Sequence, residues 1–165
     1  WKNYRQLHDM LIKKDFAGAA DVMRYEILFN EGGIYIDADS ICLKPLEDWL
    51  LDCNAFAAYE QEHMRNNLIA NGFIGSVPQS EAMRLCIEEV ATKDCTENKL
   101  AWLITGPLLI TDVFFKKKAD LTVYPSHFFM PKHHTGYESN VTGHRFADHI
   151  WGSDTGYDNM NERVK

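Results

Sequence analysis

Residues 17–39 run AGAADVMRYEILFNEGGIYIDAD, and the reading of the whole chain turns on this stretch. Ala20, Met23, Ile27 and Leu28 recur at helical spacing, and Gly32-Gly33 then offers the positive-φ positions at which helices stop. Ile34-Tyr35-Ile36 is a short β-prone run with Asp37-Ala38-Asp39 at its carboxyl end. The predicted order is helix, tight turn, strand, charged loop, which sets Asp37 and Asp39 at a strand tip. Two carboxylates at i and i+2 can hold a hard divalent cation while leaving positions for substrate oxygens, an arrangement that suits a diphosphate. In isolation, such a pair is also what two exposed loop aspartates look like in an acidic protein.

Upstream of the tip, Asp21 and Arg24 lie three positions apart on one helix face and are close enough to pair. On a surface such a pair is worth only about 0.2–0.5 kcal/mol, and the flanking Ala17, Ala19 and Ala20 leave room for a polar ligand. Downstream, Ile41-Cys42-Leu43 reads as a further extended piece. Pro45 reads as opening a helical turn that carries Leu46, Trp49 and Leu50. Ala55–Tyr59 and Leu68–Ser76 read as buried strands, the second interrupted by Asn71-Gly72 as at a bulge or a close backbone approach. Ser80 is the expected N-cap of a helix whose apolar side is Ala82, Met83, Leu85, Cys86 and Val90. Thr105-Gly106-Pro107 introduces a helix over about 107–118 that ends in three lysines, where cations suit the negative end of the dipole. Leu121–Tyr124 reads as a short strand. From Pro131 onward the chain is polar and histidine-rich, as loops are. The alternation of elements predicts an α/β fold in a single domain, 1–165.

Composition narrows the function classes. Hydrophobic residues make up 45% of the 165, enough for a core, so disorder is excluded as the main state. Seventeen basic against 24 acidic residues leave a net charge of −7, which repels a phosphate backbone and argues against nucleic acid as a partner. No window approaches the roughly 18–20 apolar residues of a transmembrane segment, and the first residues lack a signal-peptide pattern. Four cysteines without a Cys-x-x-Cys pair favour reduced thiols, with a Cys86–Cys95 bridge as the alternative in an oxidising compartment. The expectation is a cytoplasmic protein, or a Golgi-lumenal one if the chain is a fragment.

The spacing Ala20-Asp21-x-x-Arg24-Tyr25-x-x-Leu28-x-x-x-Gly32-Gly33-x-Tyr35-x-Asp37-x-Asp39 resembles the signature of glycosyltransferases with a DXD sugar-binding motif. That group includes the yeast initiating mannosyltransferases and bacterial capsular polysaccharide sugar transferases, and the large clostridial glucosylating toxins carry a similar stretch. Weaker resemblance continues through Asn71-Gly72-Phe73-Ile74, Thr105-Gly106-Pro107, Tyr124-Pro125 and His149-Ile150-Trp151. The resemblance implies a GT-A-like, Rossmann-like mixed sheet flanked by helices, a UDP- or GDP-hexose donor, a glycan acceptor, Mn²⁺ or Mg²⁺, and transfer with retention. It makes Asp39 the direct metal ligand, with Asp37 reaching the ribose or the metal's water shell and His149 closing over metal or diphosphate. Asp21, Arg24 and Tyr35 would hold the donor hexose. Asn71 would approach the anomeric carbon or acceptor, with backbone satisfaction in a bulge as its alternative role. His133, His134 and His144 read as surface residues. Family members normally begin with a base-binding strand, and only 16 residues precede Ala17, so that first strand is expected to be missing. Two rivals remain at this point. One is a haloacid-dehalogenase-like phosphatase, whose nucleophile loop is also Asp-x-Asp after a strand; the other is a non-catalytic carbohydrate- or metal-binding remnant.

Overall fold

The computed structural model describes residues 1–152, and the last part of the polar C-terminal stretch lies outside the described residues. Helix α2 (Phe16–Glu31) begins at Asp15, whose side chain accepts the Gly18 N–H at 2.9 Å. It ends at Gly32, whose φ of 68° with ψ of −161° only glycine adopts without strain. The chain turns directly into β1 (Gly33–Ile36), followed by β2 (Ser40–Cys42). Strands β3 (Ala55–Tyr59) and β4 (Ile69–Ser76) come next, and then α3 (Glu81–Ala91), with Ser80 at its N-cap as expected. The short α4 (Ala101–Ile104), α5 (Pro107–Lys117), β5 (Thr122–Tyr124) and β6 (Ala147–His149) complete the order.

An additional helix, α1 (Tyr4–Ile12), precedes these elements and was not anticipated. Its signal is Leu7 and Met10, buried three positions apart. It is fixed to α2 by the Glu26 carboxylate, which accepts the Lys2 and Asn3 backbone N–H groups at 2.7 Å each. The helical turn expected from Pro45 is instead a 3₁₀ turn over Asp48–Leu51, so the proline lies ahead of it. The segment after Pro131 is not all loop. Its strand β6 was too short for periodicity to reveal, and it pairs antiparallel with β2 in the register Ser40↔His149, Ile41↔Asp148, Cys42↔Ala147.

The main sheet has the order β1-β4-β3-β5, mixed because β3 and β5 run parallel while the other pairs are antiparallel. Strand β3 alternates strictly: Ala55 and Ala57 face a core built from α1, α2, α3 and α5, whereas Phe56 and Ala58 face an aromatic core with Phe73, Phe128, Phe129 and Phe146. Both faces are covered, which is why β3 and β4 read as continuous apolar runs. Phe73 stacks on Phe129 with centroids 3.8 Å apart, and each such buried ring contributes about 1.5–3 kcal/mol. The pairing of β4 with β3 slips between Phe56 and Ala58, so the bulge expected at Asn71-Gly72 is present. The first strand is β1, at the edge of the sheet, with Ile34 and Ile36 exposed. The lysines closing α5 end the helix as expected, and Lys117 reaches Glu89 of α3 at 2.8 Å. Cys42, Cys53, Cys86 and Cys95 are free thiols. No helix among the described residues is long and apolar enough to cross a membrane.

Candidate active site

The α2–β1 turn folds the carboxyl end of β1 back beside the middle of α2, and the β4 bulge lies against both. Arg24 is thereby enclosed. Its Nη2 stands 3.2 Å from Asp21 Oδ1 and 3.5 Å from Asp37 Oδ1, its Nη1 donates to the Asn71 carbonyl oxygen, and the Tyr35 ring lies 4.1 Å beneath the guanidinium. The Asp21–Arg24 pair is therefore not the surface pair that spacing alone suggests, for both side chains are about 95% buried. Asn71 does not satisfy backbone with its side chain. Its Nδ2 donates to Asp21 Oδ1 at 2.8 Å, and Thr105 Oγ1 donates to Asp21 Oδ2 at 3.0 Å. Burial pushes the Asp21 carboxyl up to about 6, against the pull of Arg24, Asn71 and Thr105. Burial also works against the charge on Arg24, but Asp21 and Asp37 outweigh it and keep the guanidinium cationic.

Asp37 and Asp39 meet His149 at the rim. His149 Nε2 is 3.1 Å from Asp39 Oδ1 and 3.6 Å from Asp37 Oδ2, a convergence that the β2–β6 register creates. Asp37 Oδ1 also accepts the Tyr35 hydroxyl at 2.7 Å, and Asp39 Oδ2 accepts the Gly152 N–H at 2.7 Å. The Trp151 N–H donates to His149 Nδ1 at 3.2 Å, which leaves Nε2 as the nitrogen turned to the two acids. Burial opposes a charge on His149, but hydrogen bonding to Asp37 and Asp39 and their negative charge prevail and push it up to about 9. Burial raises Asp37, yet His149, Arg24 and Tyr35 together hold it below the usual carboxylate range. The His149 hydrogen bond does the same for Asp39. Burial pushes the Tyr35 phenol up, so it stays protonated and remains a donor.

Gly72 has a steric reason to be glycine, because a Cβ there would collide with Asp37 Oδ2. The Asp37 N–H donates to the Gly72 carbonyl at 2.9 Å, so the bulge fixes the backbone of the acid tip. Asp21, Arg24, Tyr35, Asp37, Asp39, Asn71 and His149 all line one cavity of about 430 Å³, so every residue expected for the site from sequence is brought together. Thr105 and Trp102 were missed as site residues. The first sits just ahead of the Gly-Pro that opens α5, and the second is an isolated Trp on α4 without a periodic signal. His133 was misread as a surface residue, since it is buried against Glu60; His134 and His144 are exposed. The donor set at the rim suits a hard divalent cation, because two carboxylates and one imidazole bring their ligand atoms within 4.8 Å of one another.

A mixed sheet flanked by helices, with an acidic strand tip opening into a cleft, is a GT-A-like arrangement. The PaToxG glycosyltransferase structure shares this fold, with a TM-score of 0.55 at 17% identity over 70% of this chain and 40% of that one. Residues 2–56 match the family described as "Glycosyltransferase sugar-binding region containing DXD motif". An uncharacterized glycosyltransferase of Acanthamoeba polyphaga mimivirus is 43% identical over 75 residues, 46% of this chain and 29% of that protein. The initiation-specific alpha-1,6-mannosyltransferase of Candida albicans is 41% identical over 49 residues, 30% of this chain and 11% of that protein. The chain thus spans less than a third of the length of either curated relative over the matched regions.

Proposed function

We propose that the chain is the catalytic part of a metal-dependent glycosyltransferase that moves a hexose from a UDP- or GDP-hexose to a hydroxyl of a glycan acceptor, with retention of the anomeric configuration. The observation that carries this reading is the meeting of Asp37, Asp39 and His149 at the rim of a cavity walled by Asp21, Arg24, Tyr35 and Asn71. Asp37, Asp39 and His149 would hold Mn²⁺ or Mg²⁺, which supplies Lewis-acid neutralisation of the charge on the leaving diphosphate. Asp21 is held rigidly by three donors and keeps lone pairs for hexose hydroxyls, while Arg24 keeps its neighbours ionised and in place. Tyr35 aims Asp37 through the hydroxyl hydrogen bond, and Gly72 admits that carboxylate against the bulge.

The test is nucleoside diphosphate release from a panel of UDP- and GDP-hexoses, with Mn²⁺, with Mg²⁺ and with chelator. Cation-dependent release from at least one donor is expected. A phosphatase would instead release inorganic phosphate from simple phosphate esters. Binding of donors without turnover in any acceptor mixture would leave only the non-catalytic carbohydrate-binding reading.

A further inference from the structure

A second set of metal-ligand side chains lies apart from the acid tip. Glu60 directly follows β3, and one of its oxygens comes together with imidazole nitrogens of His133 and His134, all within 4.8 Å of one another. Glu60 and His133 are buried and His134 is exposed. Nδ1 of His133 is engaged by Thr135 through Oγ1 at 2.8 Å and, at 3.4 Å, the backbone N–H, so Nε2 faces Glu60, 3.3 Å from Oε1. A charge-assisted hydrogen bond to a carboxylate is shorter, about 2.7–2.9 Å. Two ligands bound tetrahedrally at about 2.0–2.1 Å, however, stand roughly 3.3–3.4 Å apart.

The surroundings also match a metal site. Arg65 Nε bonds the same Glu60 oxygen at 3.1 Å, as outer-shell partners of a ligating carboxylate do, and Thr135 orients the ring of His133. The Trp151 ring packs 5.2 Å from both imidazoles and shields them on one side. Glu60 and His134 open onto a cavity of about 800 Å³, which gives an ion a path in. The chemistry differs from that of the acid tip. Two imidazoles and one carboxylate suit a borderline cation such as Zn²⁺ in a four-coordinate site, whereas the tip's two carboxylates suit harder Mg²⁺ or Mn²⁺.

We propose that Glu60, His133 and His134 form a second metal site, selective for Zn²⁺ over Mg²⁺, which clamps the segment leading to His149 onto the end of β3. The site adds a tie to those that already hold His149 through the β2–β6 pairing: the clamp anchors the same stretch 16 residues earlier in the chain.

The experiment titrates the full chain carrying Asp39→Ala, which disables the acid tip, with Zn²⁺ alone and Mg²⁺ alone by calorimetry and thermal melting. Visible absorption with Co²⁺ reports the coordination geometry. One equivalent of Zn²⁺ should bind and raise the melting temperature, Co²⁺ should give the intense bands of a tetrahedral site, and Mg²⁺ should do neither. His134→Gln, at an exposed position that tolerates the change, should weaken Zn²⁺ by roughly 10-fold or more and abolish the Co²⁺ bands. Glu60→Gln should do the same, and His134→Gln decides the matter if that variant does not fold. Absence of Zn²⁺ binding, Zn²⁺ affinity unchanged by His134→Gln, or an equal response to Mg²⁺ each overturns the assignment.

Discussion

Within one cleft, acidic groups are handled in two ways. Asp21, on the inner wall, is ringed by Arg24, Asn71 and Thr105, and as a unit with Arg24 it carries no net charge. Asp37 and Asp39, at the rim, share one imidazole, only Asp37 also meets the edge of Arg24, and the two remain net negative even with His149 protonated. A buried ionic network whose members are all bonded fixes geometry, because losing any partner leaves a stranded charge. An excess of negative charge that opens to solvent through Asp37 instead creates affinity for a cation from outside. The wall is built to hold its shape and the rim to take up an ion.

The contrast can be broken first at the wall. Arg24→Met should cost about 3–5 kcal/mol of stability, since it strands Asp21 in the interior. The spacing of the two residues alone suggests only a surface pair worth about 0.2–0.5 kcal/mol. Urea unfolding at constant m-value measures the difference, and a cost near that of a surface pair would mean that the enclosure is illusory. At the rim the order of effects reverses. Asp39→Ala should lower cation-dependent donor cleavage by roughly 10²–10³-fold while costing less stability than Arg24→Met, because it removes one of two neighbouring like charges and leaves Asp37 beside His149. Equal loss of stability and activity would erase the distinction between the two groupings.

Gly72→Ala sharpens the comparison, because it touches the tip without removing any charge. The added Cβ must displace Asp37, and a displacement of this kind should reduce donor cleavage by up to roughly 10²-fold, visible as a raised Mn²⁺ requirement. The smallest effect belongs to a carboxylate in neither grouping. Glu89, hydrogen-bonded by Lys117 and Lys93, is held at about 2 against an ordinary value of 4.5. A lowered carboxylate pKa contributes stability above the unfolded value and loses it as pH falls from about 4.5 toward about 2. Glu89→Gln should therefore lower stability by about 0.2–1 kcal/mol at neutral pH, with the gap to the parent closing over that acid window in pH-resolved melts.

Much of the wall and rim was legible before any coordinates. Gly32-Gly33, the apolar strand runs, Ser80 and Gly106-Pro107 act through neighbours close in sequence, so their elements fall where spacing puts them. Legibility failed where an element was short or its partner distant. Strand β6 holds three residues, too few for a period, and His133 looked like a loop histidine because its partner Glu60 lies 73 positions away.

The sequence by itself determined the helix–turn–strand unit and the acid pair at its tip, because backbone sterics and hydrophobic periodicity act over a few residues. Only the tertiary structure decided that the Asp21–Arg24 pair is buried, that Asn71 bonds Asp21 from a bulge 50 positions on, and that His149 closes on the two acids. Those contacts depend on strand register and on which face of α2 the sheet covers. Both are set by the packing of two cores together, and no local window of sequence contains them.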